Sequence, residues 1–151
     1  MLLIALIAAL LFTPATPAKN KGCTPAQTRA LIVRFVNAFN RGDARTLNQV
    51  WDAKEWFKWY SVGTEPGKRV GAEAYRRDTL LPYFAARHKV HERLALTSVQ
   101  INAYGHGYRN VQYKLTRSAD DLPGGPAAYE GKGASSCVTG RIDVWSMGGG
   151  T

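Results

Sequence analysis

His91–Tyr104 reads "HERLALTSVQINAY". Leu94 and Leu96 alternate on one phase of an extended chain, whereas Val99 and Ile101 alternate on the other. Side chains in a strand repeat every second residue, so a strand with one buried face changes phase only by taking in an extra residue. The flip predicts a β-bulge between Leu96 and Val99, and a bulge bends its strand and sharpens the twist. Such a strand belongs to a long sheet that curls, with helices packed on the concave side.

The neighbouring segments supply both layers. Val111, Tyr113 and Leu115 alternate in the next strand. Tyr129 to Val138 and Arg141 to Met147 read as a final hairpin through Thr139-Gly140, after the loop "SADDLPGGPAA". Upstream, Thr24, Pro25 and Gln27 form a capping-box start, and Leu31, Phe35 and Phe39 lie four apart on one helical face. Gly42 stops that helix, and Asp43 caps a second, short one through Trp51. "EWFKWYSV" is strand-like, and Gly71 to about His88 is helical, with Pro82 kinking the helix or starting a second segment. The expectation is an α+β fold: a conical, curved antiparallel sheet of three or four long strands on about three N-terminal helices. The cone is either hollow or filled.

A chain of 151 residues with 45% hydrophobic and 21% charged residues fits one globular domain with its own core. Leu2 to Phe12 is an unbroken apolar run, short of the roughly 20 residues of a membrane-spanning helix, and Thr16-Pro17-Ala18 closes it. Residues 1–18 read as a secretory signal, which leaves 19–151 as a single exported domain without a membrane span; the alternative is an N-terminal membrane anchor. In an oxidising compartment Cys23 and Cys137, the two cysteines of the chain, are expected to pair. A bridged loop of about 100 residues corresponds to about 4–5 kcal/mol in the chain-entropy treatment.

The formal charge of +9 is spread through short clusters such as Lys68-Arg69, Arg76-Arg77 and Arg87-His88-Lys89. It favours contact with anionic surfaces. No basic stripe interleaved with aromatics marks a specific nucleic-acid site, and no Cys-x-x-Cys marks redox catalysis. His88-x-x-His91 straddles a helix-to-strand junction with only Glu92 nearby, so no metal site is expected, and no cofactor. His106, between two glycines, reads as a turn residue.

Together "RFVNAFNRGDARTLNQVW", "WFKWYSV", the third helix and "GKGASSCVTGRIDVWSM" resemble the nuclear-transport-factor-two-like superfamily, with its SnoaL-like and ketosteroid-isomerase-like proteins. The resemblance covers Thr24 to Met147. It implies a cystatin-like cone, often a homodimer, and functions that range from isomerases, dehydratases and epoxide hydrolases to proteins without known activity. The slot of the isomerase carboxylate falls on Tyr60, or on Trp59 one residue earlier, and neither side chain can act as that base. No spacing identifies the His–Asp pair that dehydratases of the superfamily use.

Trp59, Tyr60, Tyr113, Asp143 and Trp145 are the residues expected to line a pocket for a small, flat apolar ligand, unless they are simply core. The glycines of "GKGASS" either leave room for that pocket or let the sheet bend. Asp143, between Ile142 and Val144, has two readings: a desolvated general base inside the cone, or an acid neutralised by Arg141 near the surface. Asp52 reads as a turn residue. The expectation is a non-catalytic domain that binds a small apolar ligand or a protein partner. The alternatives are a small lyase, isomerase or hydrolase using Asp143 with a tyrosine or histidine, and a basic surface-interaction protein.

Overall fold

A computed structural model describes residues 24–52, 58–61, 72–74, 77–105 and 107–149, with the backbone alone at 58–61, 72–74, 77 and 104. Among the described residues, three helices and six strands follow in the order α1 Pro25–Arg41, α2 Ala44–Val50, β1 Lys58–Ser61, β2 Ala72–Ala74, α3 Arg77–Lys89, β3 Arg93–Tyr104, β4 Tyr108–Ser118, β5 Ala127–Ser136 and β6 Ile142–Gly149. The strands form one sheet in the order β2-β1-β6-β5-β4-β3.

Local chemistry sets the helix ends. Thr24 accepts from the Gln27 backbone N–H while the Gln27 side chain takes the Thr24 N–H, closing the capping box that starts α1. Gly42 ends α1 at φ 66°, and the His88 ring packs where a side chain there would go. Asp43 then caps α2 by accepting from the Thr46 N–H at 3.0 Å. The third helix starts at Arg77, later than expected, because 72–74 pair as an edge strand with β1. Pro82 lies inside α3 and does not divide it.

The bulge falls where the phase flip placed it, as a register shift between Leu96 and Ser98 against β4. Leu94 and Val99, on either side, are both buried. Helix α1 is strapped to this strand at both phases. Asn40 exchanges two hydrogen bonds with the Leu94 backbone, at 2.8 and 2.9 Å, and Arg29 donates to the Val99 carbonyl at 2.6 Å. Because β3 is the last strand of the sheet, these bonds also cover polar groups that an edge leaves open.

The four long strands are antiparallel neighbours as expected. The sheet is nonetheless mixed, because β1 runs parallel to β6, with Trp59 opposite Trp145. Strands from distant parts of the chain meet here, which local patterning does not announce. Inside the curve, Phe35, Phe39, Trp51, Phe84 and Trp145 meet ring to ring, with centroids 4.8–6.2 Å apart.

Candidate functional site

Tyr113 and Trp145 form the inner wall. Tyr113 pairs with Gly131 and Gly131 with Met147; one row along, Val111 pairs with Gly133 and Gly133 with Trp145. Neither glycine has a Cβ, so the two rings lie across β5. They stack with centroids 3.9 Å apart and planes 18° from parallel. A Cβ on Gly131 would overlap the Tyr113 ring and the Ser146 carbonyl; one on Gly133 would stand 2.6 Å from the Val144 carbonyl oxygen. The space left by "GKGASS" is thus occupied by the wall's own rings.

The Tyr113 hydroxyl donates to the Ser146 carbonyl at 2.7 Å. Burial pushes its pKa well above the ordinary phenol value, against the opposing pull of that hydrogen bond. It is therefore a fixed neutral donor across the biochemical pH range. Trp145 is wholly buried. Trp59 and Tyr60 lie in β1, in register with Trp145 and Ser146, and their side chains fall outside the described residues.

Asp143 sits at the end of this wall in a second bulge. Ala134 pairs with Val144 and Ser135 with Ile142, so Asp143 is the extra residue. It is 6% exposed, and Asp52 is 4% exposed. The two acids are brought together because Trp51 bridges Ile142 in parallel and the Asp52 N–H donates to the Ile142 carbonyl at 2.9 Å. Thr139, in the turn before β6, donates its hydroxyl to Asp52 Oδ2 at 2.7 Å. Asp52 is thus no simple turn residue: it ties the end of α2 to the last hairpin. Chemically, this corner places two buried acids at one end of the aromatic interior.

Cys137 is buried, and its N–H donates to the Gly107 carbonyl at 2.7 Å. No cysteine among the described residues is free, and Cys23 lies outside them. His88 and His91 do not converge. His88 packs on Gly42, whereas His91, at φ 52°, meets Asp120 Oδ2 at 2.7 Å. His106 is outside the described residues, among which no group of three or more potential metal ligands occurs. None of the described helices is long and apolar enough to cross a membrane.

The largest buried polar group was not anticipated. Glu92, fully buried, receives Arg117 Nε at 2.7 Å and Arg117 Nη2 at 3.2 Å, and also takes Arg87 Nε. Arg87 reaches on to both oxygens of Asp121, at 2.6 and 2.7 Å. The Arg117 guanidinium lies 5.3 Å from the centre of the Tyr129 ring. Burial pulls the Arg117 pKa down, but the hydrogen bonds and charge of Glu92 outweigh it and leave it raised. One signal was readable: Arg117 continues the inward phase of Val111, Tyr113 and Leu115. A charged residue on a buried phase requires a buried counter-charge.

No family model matches the chain, and no curated protein does. Solved structures do. An uncharacterised protein with a cystatin-like fold from Caulobacter vibrioides superposes with a TM-score of 0.66 at 17% identity, over 82% of this chain and 87% of that one. A nuclear-transport-factor-two-like superfamily protein from Salmonella enterica serovar Typhimurium gives 0.65 at 11% identity, over 85% and 94%. An LEH-like epoxide hydrolase from Mycobacterium tuberculosis gives 0.54 at 13% identity, over 80% of each chain. At these identities the likeness establishes the fold.

Proposed function

We propose that this chain, which has the cystatin-like, nuclear-transport-factor-two-like fold, is an exported binding domain that takes up a small apolar molecule without turning it over. The observation that carries the reading is the aromatic interior that ends on the stacked Tyr113–Trp145 wall, with one acid, Asp143, at its margin. Sites for small molecules are typically apolar with a few placed polar groups. The ligand sits by Tyr113, Asp143 and Trp145, with Trp59 in register with Trp145; Tyr60, in register with Ser146, falls on the opposite phase. Trp145 and Tyr113 are buried, so a ligand between them requires the rings to part and is small.

Native mass spectrometry of the exported protein from its own host tests this reading. A reproducible extra mass that leaves on denaturation is expected, and a bare protein would overturn the reading; the same spectrum reads monomer or homodimer. Export predicts a mature chain that begins at Lys19. The Cys23–Cys137 bridge belongs to the same proposal. It predicts no iodoacetamide labelling of the denatured, unreduced protein, and labelling at both cysteines refutes it.

The proximity of Asp52 and Asp143 favours a second reading, a small lyase, isomerase or hydrolase. Two acids in unlike surroundings are a common basis for acid–base work. That reading requires turnover of a hydrophobic substrate with a bell-shaped pH–rate profile, abolished in a folded Asp143→Asn variant. A basic surface role, from the +9 charge, requires binding to anionic vesicles that weakens steeply with salt.

A further inference from the structure

The sheet face turned away from the helices holds a groove of about 390 Å³, across β3, β4, β5 and β6. Two registered rows of side chains build it. In one, Gln100 pairs with Gln112, Gln112 with Lys132 and Lys132 with Ser146. In the other, Ser98 pairs with Lys114, Lys114 with Glu130 and Glu130 with Gly148. Tyr113 and Gly131, of opposite phase, supply backbone to the floor. At Gly148 the groove is open, with nothing within 4 Å of where a Cβ would stand.

Its chemistry is unlike that of the interior. The side chains reaching into it from the outward phase are amides, hydroxyls, two ammonium groups and one carboxylate. Lys114 and Glu130 neutralise each other at 2.7 Å, and among the described residues Lys132 is left as the uncompensated charge of the groove. Among the described residues that line it, none of the outward phase has an apolar side chain to hold a flat hydrophobic molecule. A nucleobase wants an aromatic platform, and none of the lining side chains of that phase is a ring; Tyr108, on the same phase of β4, stands outside the lining. A peptide strand wants a free sheet edge, whereas β4 and β5 are paired on both sides. Gln and Ser each donate and accept, which suits a ligand polar over its whole surface, and one lysine suits one anionic group.

We propose that this groove binds an acidic saccharide, its carboxylate on Lys132 and its hydroxyl groups on Gln100, Gln112 and Ser146. The site is separate from the aromatic interior and does not depend on it. The test is an NMR titration of the full mature chain with trigalacturonic acid, with the neutral galactose trisaccharide as comparator. Amide shifts centred on residues 100, 112, 132 and 146 are expected with the acidic sugar and weak or none with the neutral one. Lys132→Gln, an exposed change that leaves the fold intact, should weaken binding about fivefold, and added salt should weaken it further. Shifts absent with the acidic sugar, shifts centred elsewhere, equal binding of the neutral sugar, or an unaltered Lys132→Gln titration would each overturn the proposal. Tryptophan emission from the buried wall stays unchanged throughout, which separates this site from an apolar ligand inside.

Discussion

Gly131 and Tyr113 are one unit: the ring occupies the place of the missing side chain, and its hydroxyl closes on the Ser146 carbonyl. Gly131→Ala puts a methyl group against a ring and a backbone oxygen, neither of which has room to retreat. It should cost about 1–3 kcal/mol in urea denaturation. Gly148→Ala, with open space around it, should stay within about 0.5 kcal/mol of the parent. Equal effects at the two sites would contradict this packing. Glu92→Gln keeps the shape of the side chain but leaves the buried Arg117 guanidinium without its counter-charge, while Arg87 keeps Asp121. A loss of about 3–5 kcal/mol is expected, far above that of an exposed acid such as Glu130.

Element boundaries depend on short-range chemistry, which is why so many were readable in advance. Thr24→Ala removes the hydroxyl half of the capping box, leaving the backbone N–H of residue 24 on the Gln27 side chain, and should cost about 1 kcal/mol, measured as a fall in thermal midpoint with an unchanged folded spectrum. The capping box, the Gly42 stop, the Asp43 cap and the bulge after Leu96 each follow from a few neighbouring residues. What escaped the reading depended on distant partners. Residues 72–74 look helical until β1 is present to pair with them. Asp52 looks like a turn acid until Thr139 and Ile142 arrive beside it. The glycines of β5 announced space, but only the register with β4 shows whose rings fill it. Glu92 was seen as a neighbour of two histidines, and its true partner, Arg117, lies on another strand.

At the scale of the molecule, charge placement sets the pH range of stability. Asp121 is held below the ordinary carboxylate value of 3.8 by its hydrogen bonds from Arg87, and Asp43 by the Thr46 backbone N–H. Both fold with depressed pKa values, so their contribution is present above 3.8 and is lost as pH falls through the folded values. Tyr113 is shifted the other way. Stability is unaffected by it below the ordinary value of 10.0 and declines as pH rises beyond, because only the unfolded chain ionises readily there. Denaturation midpoints should therefore fall at acid pH below 3.8 and at alkaline pH above 10.0. Asp121→Asn should blunt the acid limb, and Tyr113→Phe the alkaline limb.

The parallel seam between β1 and β6 also orders events in time. β3 to β6 are joined in sequence, each strand pairing with the next, so that meander closes by successive short loops. Residues 58–61 instead wait for 144–147, and pairings so distant along the chain form slowly. Assembly thus runs from the meander to the seam, and partial opening retraces it in reverse. In native-state hydrogen exchange, the amides of β1 should be released by a sub-global opening at lower free energy than those of β4. The last element to join is then the first to let go, and it does so while the rest of the protein stays folded.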